Sequence, residues 1–578
     1  MSDPNMSGNS PDRSAQQRKP LHRGWKKKTW SRQAPKKAAG DPAQIREEVD
    51  HTVQASGGKP SDRITVVQKA ETRNSILRVV FAIISISLQI ALIVVAFSYL
   101  NANEWMSLIT RLLAFVLVIA INSQYKTVSM RTPWIVLIMF YPVAGVTFYL
   151  MVGLSGATRT MRKRYSSVDA DIFPMIPQER GPVLEEEREN WDAASISKYI
   201  SARSKYPVYR NSDVRYFGDT NQALDAQVEA ARKASRFIFM EYYAIEDKES
   251  FHRILEVLVE KAAEGVEVRI FYDDLGSSGF INTDFIDKMR RLGIRCRVFN
   301  PMGPIVNVFL NNRDHRKIMI VDGETAFTGG YNLANEYFNI THPYGRWKDS
   351  GVQVTGEAVK NFTAMFLEMW NAVRSDDRDD RNYGKYFPEI HYESAEKGFV
   401  QPYADTPIDH EPVGENVYIS MVEKAKKYVW FITPYLIITE EMIHTLGLAA
   451  KRGVDVRIVT PGIPDKKIIY SVTRSYYNTL TRNGVRIYEY TPGFCHSKVC
   501  VCDDRMAVCG TINLDYRSFY HHFEDACFFT DCSAVLDVRR DIESVIRDSR
   551  DVTEYYTTGR GALMRAGQAV LRMFATLL

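Results

Sequence analysis

The pattern His-x-Lys-x4-Asp occurs twice in this chain. The first copy is His315, Lys317 and Asp322, in HRKIMIVDGETAFTGGYN; the second is His496, Lys498 and Asp503, in HSKVCVCDDRMAVCGTIN. Six residues further on, each copy reaches a small pair and an asparagine: Gly329-Gly330 with Asn332, and Gly510-Thr511 with Asn513. With ordinary residue frequencies one chance match is improbable, and two in matching contexts far more so. The flanks repeat as well. RFIFMEYYAIED at 236–247 is matched by YVWFITPYLIIT at 428–439, both apolar runs rich in β-branched and aromatic residues that read as buried strands. A helical stretch follows each run and ends in AAEGVEVRIFYD (262–273) or AAKRGVDVRIVTP (449–461), where the glycine stops the helix and V-x-V-R-I is the next strand. Gly265 and Gly453 are 188 residues apart, and His315 and His496 are 181 apart. Nearly equal offsets mean two fused copies of one unit. Alternating strands and helices predict an α/β fold with a mostly parallel or mixed sheet, helices outside, and one shared active site.

Residues i and i+2 of a strand share a face, so each histidine is expected to project beside its own lysine. An ammonium next to an imidazole discourages its protonation, which suits a neutral nucleophile. The same lysine can hold a phosphate oxygen and neutralise charge in the transition state. Asn332 and Asn513 can donate to the same oxygens, and the small residues, Gly330 and Thr511 among them, keep the backbone close to a phosphate. One histidine then attacks phosphorus while the other protonates the leaving group. Two lysines take the place of a divalent cation, so neither a metal nor another cofactor is expected.

The net charge of +5 is an uneven average. Residues 1–76 carry 15 Lys/Arg against 8 Asp/Glu, leaving the remainder at −2. Arg13 to Lys37 holds ten basic residues, no acidic one, and Trp25 and Trp30. Such a tail reads as a disordered segment or as one attracted to anionic lipid headgroups, with tryptophans suited to an interface. A nearly neutral folded part gives no support for nucleic-acid binding. Six of the seven cysteines lie between Cys495 and Cys532. Their spacing fits strand alternation better than a zinc site, and reduced core cysteines argue for a reducing compartment.

Val79–Leu100 is 22 residues without a charge, long enough to cross a bilayer. Pro133–Val152 is a second candidate, and Trp105–Ile121, which carries Arg111, is either a third span or an interfacial segment. Two spans keep the C-terminal part on the cytoplasmic side with the basic tail, where Arg159, Arg162, Lys163 and Arg164 also obey the positive-inside rule; Lys126 and Arg131 favour three. The balance favours a cytoplasmic catalytic face. The expected order is a basic tail (1–76), a membrane region of two or three helices (77–153), a polar linker (154–205), the first repeat unit (206–375), a charged linker (376–400), the second unit (401–560) and a C-terminal amphipathic helix (561–578) with Leu563, Ala566, Val570, Met573, Phe574 and Leu577 on one face.

These residues resemble a family. The paired motif is similar to that of the phospholipase D superfamily. PVAGVTFYLMVG (142–153), EYYAIED (241–247), NNRDHRKIMIVDG (311–323), FTGGYNLANEY (327–337) and NLDYRSFYHHFE (513–524) are closer still to membrane-anchored bacterial cardiolipin synthases, from about residue 80 to the end. The resemblance implies two phospholipase D-like α/β/α units behind transmembrane helices in a bacterial cell membrane. It also implies a ping-pong transfer. His315 attacks one phosphatidylglycerol to form a phosphohistidine. His496 protonates the departing glycerol and then deprotonates a second phosphatidylglycerol, giving cardiolipin. Asp349 and Glu524 are implied to orient the imidazoles. Asp322 and Asp503 count with the catalytic motif, although at strand ends they are also placed to serve structure. The sequence departs from the family pattern at His522 (often Asn), at Asn335 (often Asp) and at Ser350-Gly351 (often Thr-His). A lipid or nucleic-acid phosphodiesterase and a non-catalytic membrane scaffold are the competing readings.

Overall fold

The computed structural model describes residues 104–558 except 125–126, 151–155, 177–179, 283, 302–311, 374–378 and 380–381, plus helical positions 87, 91, 95, 98, 567, 571, 572 and 575. The basic tail and nearly all of Val79–Leu100 lie outside the described residues, as does most of the expected C-terminal helix.

The described chain opens with α1 (Glu104–Asn122), α2 (Val128–Phe140) and α3 (Pro142–Phe148). Among the described helices, α1 alone is long and apolar enough to cross a bilayer, and Trp105, Leu112 and Phe115 are exposed on it. It is the stretch that the sequence left between a third span and an interfacial segment. Pro133–Val152 is not one continuous span. Pro142 excludes Tyr141 from the helical region, and Tyr141 sits at φ −131°, ψ 71°, so α2 ends there and α3 turns back.

The stretch expected as a polar linker also differs. It folds into α4 (Gly156–Ile172), α5 (Gly181–Glu189) and α6 (Trp191–Ser204). Val168, Ile172, Ile196 and Ile200 are buried in the main core, and Tyr165 and Tyr206 donate to buried Glu368 at 3.0 and 2.6 Å. Few apolar residues spaced along charged helices were enough to dock them.

The first repeat unit contains β1 (Ser212–Phe217), α7 (Thr220–Lys233), β2 (Phe237–Tyr242), α8 (Glu249–Ala263), β3 (Glu267–Asp273), α9 (Phe285–Arg291), β4 (Arg295–Phe299), β5 (Arg313–Asp314), β6 (Lys317–Val321), β7 (Thr325–Gly329), β8 (Gly351–Gly356) and α10 (Val359–Val373). The second contains β9 (Phe399–Asp405), α11 (Val413–Lys424), β10 (Tyr428–Ile432), β11 (Leu436–Ile437), α12 (Glu440–Lys451), β12 (Asp455–Pro461), α13 (Lys467–Arg482), β13 (Arg486–Tyr490), β14 (Val499–Cys502), β15 (Met506–Gly510), β16 (Leu514–Asp515), α14 (Tyr516–Tyr520), β17 (His522–Thr530), α15 (Ser533–Arg547), β18 (Ser549–Asp551) and α16 (Thr553–Thr558).

The strand orders make the duplication explicit. The first sheet runs β1-β8-β7-β6-β2-β3-β4, and the second runs β9-β17-β15-β14-β10-β12-β13 with β18 at its edge. In each, the two βαβ crossovers are parallel and the motif hairpin is antiparallel. Helix α8 buries Phe251, Ile254, Leu255 and Leu258 at helical spacing. Gly265 (φ +96°) and Gly453 (φ +94°) close the equivalent helices, and since a Cβ there would meet nothing within 4 Å, the positive φ alone demands glycine. The main core draws on both sheets: Phe239 stacks on Phe366 at 4.5 Å in the same cluster as Tyr403, Phe431 and Cys500. Five of the seven cysteines are buried and all are free thiols.

The units also exchange backbone. β5, from the first, pairs parallel to β17 of the second, and His315 N–H donates to Phe523 O at 2.9 Å. Reciprocally, Lys348 bridges Cys495 in parallel, and His496 N–H donates to Lys348 O at 2.7 Å.

Candidate active site

The reciprocal backbone bonds decide which carboxylate meets which imidazole. Phe523 precedes Glu524, so fixing His315 to Phe523 brings its ring onto Glu524: Nδ1 donates to the carboxylate at 2.8 and 3.0 Å. Lys348 precedes Asp349, and His496 Nδ1 donates to Asp349 Oδ2 at 2.7 Å. Each half therefore orients the histidine of the other. A carboxylate can only accept here, so the proton sits on Nδ1 and the Nε2 lone pair is left for chemistry. Contrary to the alternation, the two histidines lie outside the strands, although Lys317 opens β6. His315 falls in the break between β5 and β6, and His496 and Lys498 precede β14. Leaving the ladder is what frees both rings to cross to the other half.

Both imidazoles line a cavity of about 430 Å³, with Asn332 and Asn513 on its wall. Aromatic rings pack each one: Tyr243 meets His315 edge-on at 5.0 Å, and Tyr337 and Trp347 lie 5.3 Å from His496. Burial drives His315 well below the ordinary histidine range, and Lys317 and Lys498 add to it. Burial and then Lys498 lower His496 to about 4, while Asp349 pulls the other way. Burial also brings Lys317 to about 8 and Lys498 to about 7. Asp349, which burial alone would raise, is held below its usual range by His496 and Lys498 and by the Ser350 N–H. Lys498 Nζ lies 2.9 Å from both Nδ1 and Nε2 of His496 and donates to the His496 carbonyl. The site thus holds two neutral imidazoles and two lysines whose charge is uncomfortable without an anion.

Several expected residues stand elsewhere than anticipated. Asp322 and Asp503 are not in the site, and a catalytic role for them is withdrawn. Asp322 accepts the backbone N–H groups of Ser235, Arg236 and Phe237, each at 2.8 Å, and lines a separate hollow. Asp503 accepts those of Lys426, Lys427 and Tyr428 at 2.7–2.9 Å. Each aspartate fastens the start of the neighbouring strand, β2 or β10, from a turn with positive φ. Gly330 and Thr511 do not line the cavity but serve the carboxylates. A Cβ on Gly330 would stand 2.0 Å from Asp349 Oδ1, and Thr511 Oγ1 donates to Glu524 Oε2 at 2.5 Å. Asn332 donates to Tyr337 Oη at 2.7 Å and accepts from Ala244 N–H.

Residues that the motif did not announce complete the wall: Tyr243, Tyr435, Lys466, Asp515, Arg517 and His522. His522 lies 5.4 Å from the His315 ring and 3.4 Å from Glu524, and accepts from Arg517 Nε at 3.3 Å. Its i−2 spacing from Glu524 on β17 was the available signal. His315, His522 and Glu524 have donor atoms within 4.8 Å of one another. The positive charge of Lys317, Lys498 and Lys466 reaching His315 opposes a cation at that cluster.

The family model described as "Cardiolipin synthase, PLD-like domain" matches residues 227–370 and 418–546, one segment in each half. An uncharacterized protein from Streptococcus mutans serotype c is 39% identical over 433 residues, covering 75% of this chain and 93% of that one. A cardiolipin synthase from Halalkalibacterium halodurans is 30% identical, covering 83% of this chain and 96% of its own length. Another from a Geobacillus strain is 29% identical over 84% of this chain and 98% of that one.

Proposed function

The chain belongs to the family of cardiolipin synthases with paired phospholipase D-like domains, and from that membership we propose the following reaction. The chain is a phosphatidyltransferase that converts two phosphatidylglycerols into cardiolipin and glycerol through a phosphohistidine. The observation that carries the mechanism is the crossed pair of His–carboxylate bonds, 2.8 and 2.7 Å long, in one cavity.

His315 is the nucleophile. Its Nε2 attacks phosphorus, a P–N bond forms, and the bond to the headgroup glycerol breaks. That glycerol oxygen takes a proton from His496 Nε2. His496 is the ring that more readily carries a proton, because its pKa is depressed less far than that of His315. Lys498, lowered to about 7 and 2.9 Å from Nε2, is placed to supply that proton once the substrate's negative charge enters. The hydroxyl of the second phosphatidylglycerol then gives its proton to His496 and attacks phosphorus. The P–N bond breaks and its electron pair returns to His315. Lys317, Lys498 and the side-chain amides of Asn332 and Asn513 hold the non-bridging oxygens, where charge builds up in both transition states.

The enzyme is read as a multi-pass protein of a bacterial cell membrane, with its catalytic part on the cytoplasmic face and the basic tail on anionic headgroups. The free thiols agree with that face.

The test is product analysis. Purified full chain is given phosphatidylglycerol labelled in the headgroup glycerol. One labelled glycerol released per cardiolipin formed is expected. Phosphatidic acid without cardiolipin would overturn the transferase reading in favour of hydrolysis.

A further inference from the structure

The two loops that follow the equivalent strands β3 and β12 flank the cavity, one from each half. Leu275, from the first loop, lines it, as do Asp465, Lys466 and Ile469 from the second loop and the start of α13. These two segments expose apolar side chains: Leu275 and Phe280 at 39% and 36%, Ile463 and Ile468 at 40% and 65%. Among the described residues from 181 to 558, nine large apolar side chains are exposed, and four of them fall in these two short stretches. The other five are scattered singly over α5, α6, α12, α15 and α16, which needs no explanation. Ile463 reaches the Tyr344–Gly345 turn, whose Tyr344 is also on the cavity wall. Lys466 and Lys467 are exposed between the two isoleucines.

Helix α2 approaches the cavity at Tyr516. Ser129, in the first turn of α2, hydrogen-bonds the hydroxyl of Tyr516, a cavity-lining residue. Met130 packs on the main core, while the apolar outer face of α1 carries Trp105, Leu112 and Phe115 into the open. Helix α2 thus touches the same cavity that the two apolar loops flank.

We propose that Leu275, Phe280, Ile463 and Ile468 enter the acyl-chain region of an anionic bilayer. Lys466 and Lys467 then meet the headgroups, and the cavity mouth opens directly into the leaflet. The proposal deepens the lipid-transfer reading and rests on it. A two-chain lipid then need not leave the bilayer. Its phosphate slides up between the loops to the histidines while its acyl chains stay among lipids. The pseudo-symmetry supplies two such loops, and the reaction needs two lipids.

The test uses the full chain carrying Phe280→Asp, Ile463→Asp and Ile468→Asp, none of which lines the cavity. Rates are compared on long-chain phosphatidylglycerol in vesicles and on monomeric dihexanoyl phosphatidylglycerol. The vesicle rate is expected to fall by on the order of tenfold or more, as loss of buried apolar side chains implies. The monomer rate is expected to stay within about twofold of the unmodified chain. Equal losses on both substrates, or no loss on vesicles, would overturn the proposal. A second readout is independent of turnover. An environment-sensitive fluorophore at Ile468→Cys, with Cys296 and Cys532 changed to serine, is expected to be quenched by nitroxide lipids labelled in the acyl chain. Absence of quenching refutes insertion, including the case where the rim binds another protein. If the lipid-transfer reading is wrong, neither substrate yields cardiolipin in the unmodified chain, yet the quenching still reports insertion.

Discussion

Gly330→Ala tests how tightly the site is built. Gly330 is not among the residues with positive φ, so alanine is allowed by the backbone and the cost is steric. The new methyl would stand 2.0 Å from Asp349 Oδ1, 2.9 Å from its Cγ and 3.0 Å from the His496 carbonyl. Ordinary contact begins near 3.4 Å, so the carboxylate has to retreat by more than 1 Å. The 2.7 Å bond from His496 Nδ1 cannot survive that movement. A hydrogen bond to a charged group contributes about 1.5–3 kcal/mol. At about 1.36 kcal/mol per tenfold in rate, kcat is expected to fall by roughly 10- to 150-fold. KM should change little, since Asp349 acts through His496 and not on the substrate. Asp349→Asn removes the same interaction by another route. Combined with Gly330→Ala it should cost little more than either change alone, the sign of a shared mechanism. Steady-state assays on phosphatidylglycerol, with thermal melts to check folding, read all three variants. A Gly330→Ala enzyme within twofold of the unmodified rate, or strictly additive losses, would refute the reasoning.

Other expectations follow from the same geometry. Asp322→Ala and Asp503→Ala should each destabilise the fold by about 1–3 kcal/mol through unsatisfied backbone donors, while kcat per folded molecule stays unchanged; melting curves paired with active-site titration check this. Stability should fall as pH drops from 6.5 toward 4. His496, lowered to about 4, and His522, lowered to about 3, stay neutral in the folded chain while the unfolded chain takes up protons. Each contributes about 1.4 kcal/mol per pH unit in that window and nothing above it. His522→Asn should therefore flatten the acid limb of melting temperature against pH, and an unaltered limb would contradict the burial argument. Inorganic phosphate should raise the melting temperature, more at pH 6 than at pH 9, because Lys498 (about 7) and Lys317 (about 8) must be charged to hold it. Exhaustive chelation should leave the rate unchanged, since the lysines carry the charge that a metal otherwise would.

Much of the site was legible because its chemistry sits in short, repeated sequence. The His/Lys pairs, Asn332 and Asn513 are local, and their 181-residue offset by itself implies a duplicated unit. The crossing of the halves was not legible. His315 pairs with Glu524 across 209 positions, and only the β5–β17 pairing and the Lys348–Cys495 bridge explain why. Asp322 and Asp503 misled because a motif records what recurs, and a strand anchor recurs as faithfully as a catalyst. Gly330 and Thr511 occupy equivalent positions, and as small residues after each motif they resemble phosphate cradles. Sequence could not show that Gly330 makes room for an aspartate while Thr511 holds a glutamate. Helices α4–α6 are hard to read from sequence for an ordinary reason: their charge outweighs their apolar residues until the faces are separated in three dimensions.

The central claim is that one histidine from each half shares one phosphate, His315 as nucleophile and His496 as acid and base. The most direct measurement is mass-spectrometric mapping of the covalent adduct trapped by rapid denaturing quench of the unmodified chain during turnover of phosphatidylglycerol. A phosphatidyl group is expected on His315 of the unmodified chain and absent from the His315→Ala chain. An adduct on His496 of the His315→Ala chain, with none on His315, would contradict the assignment.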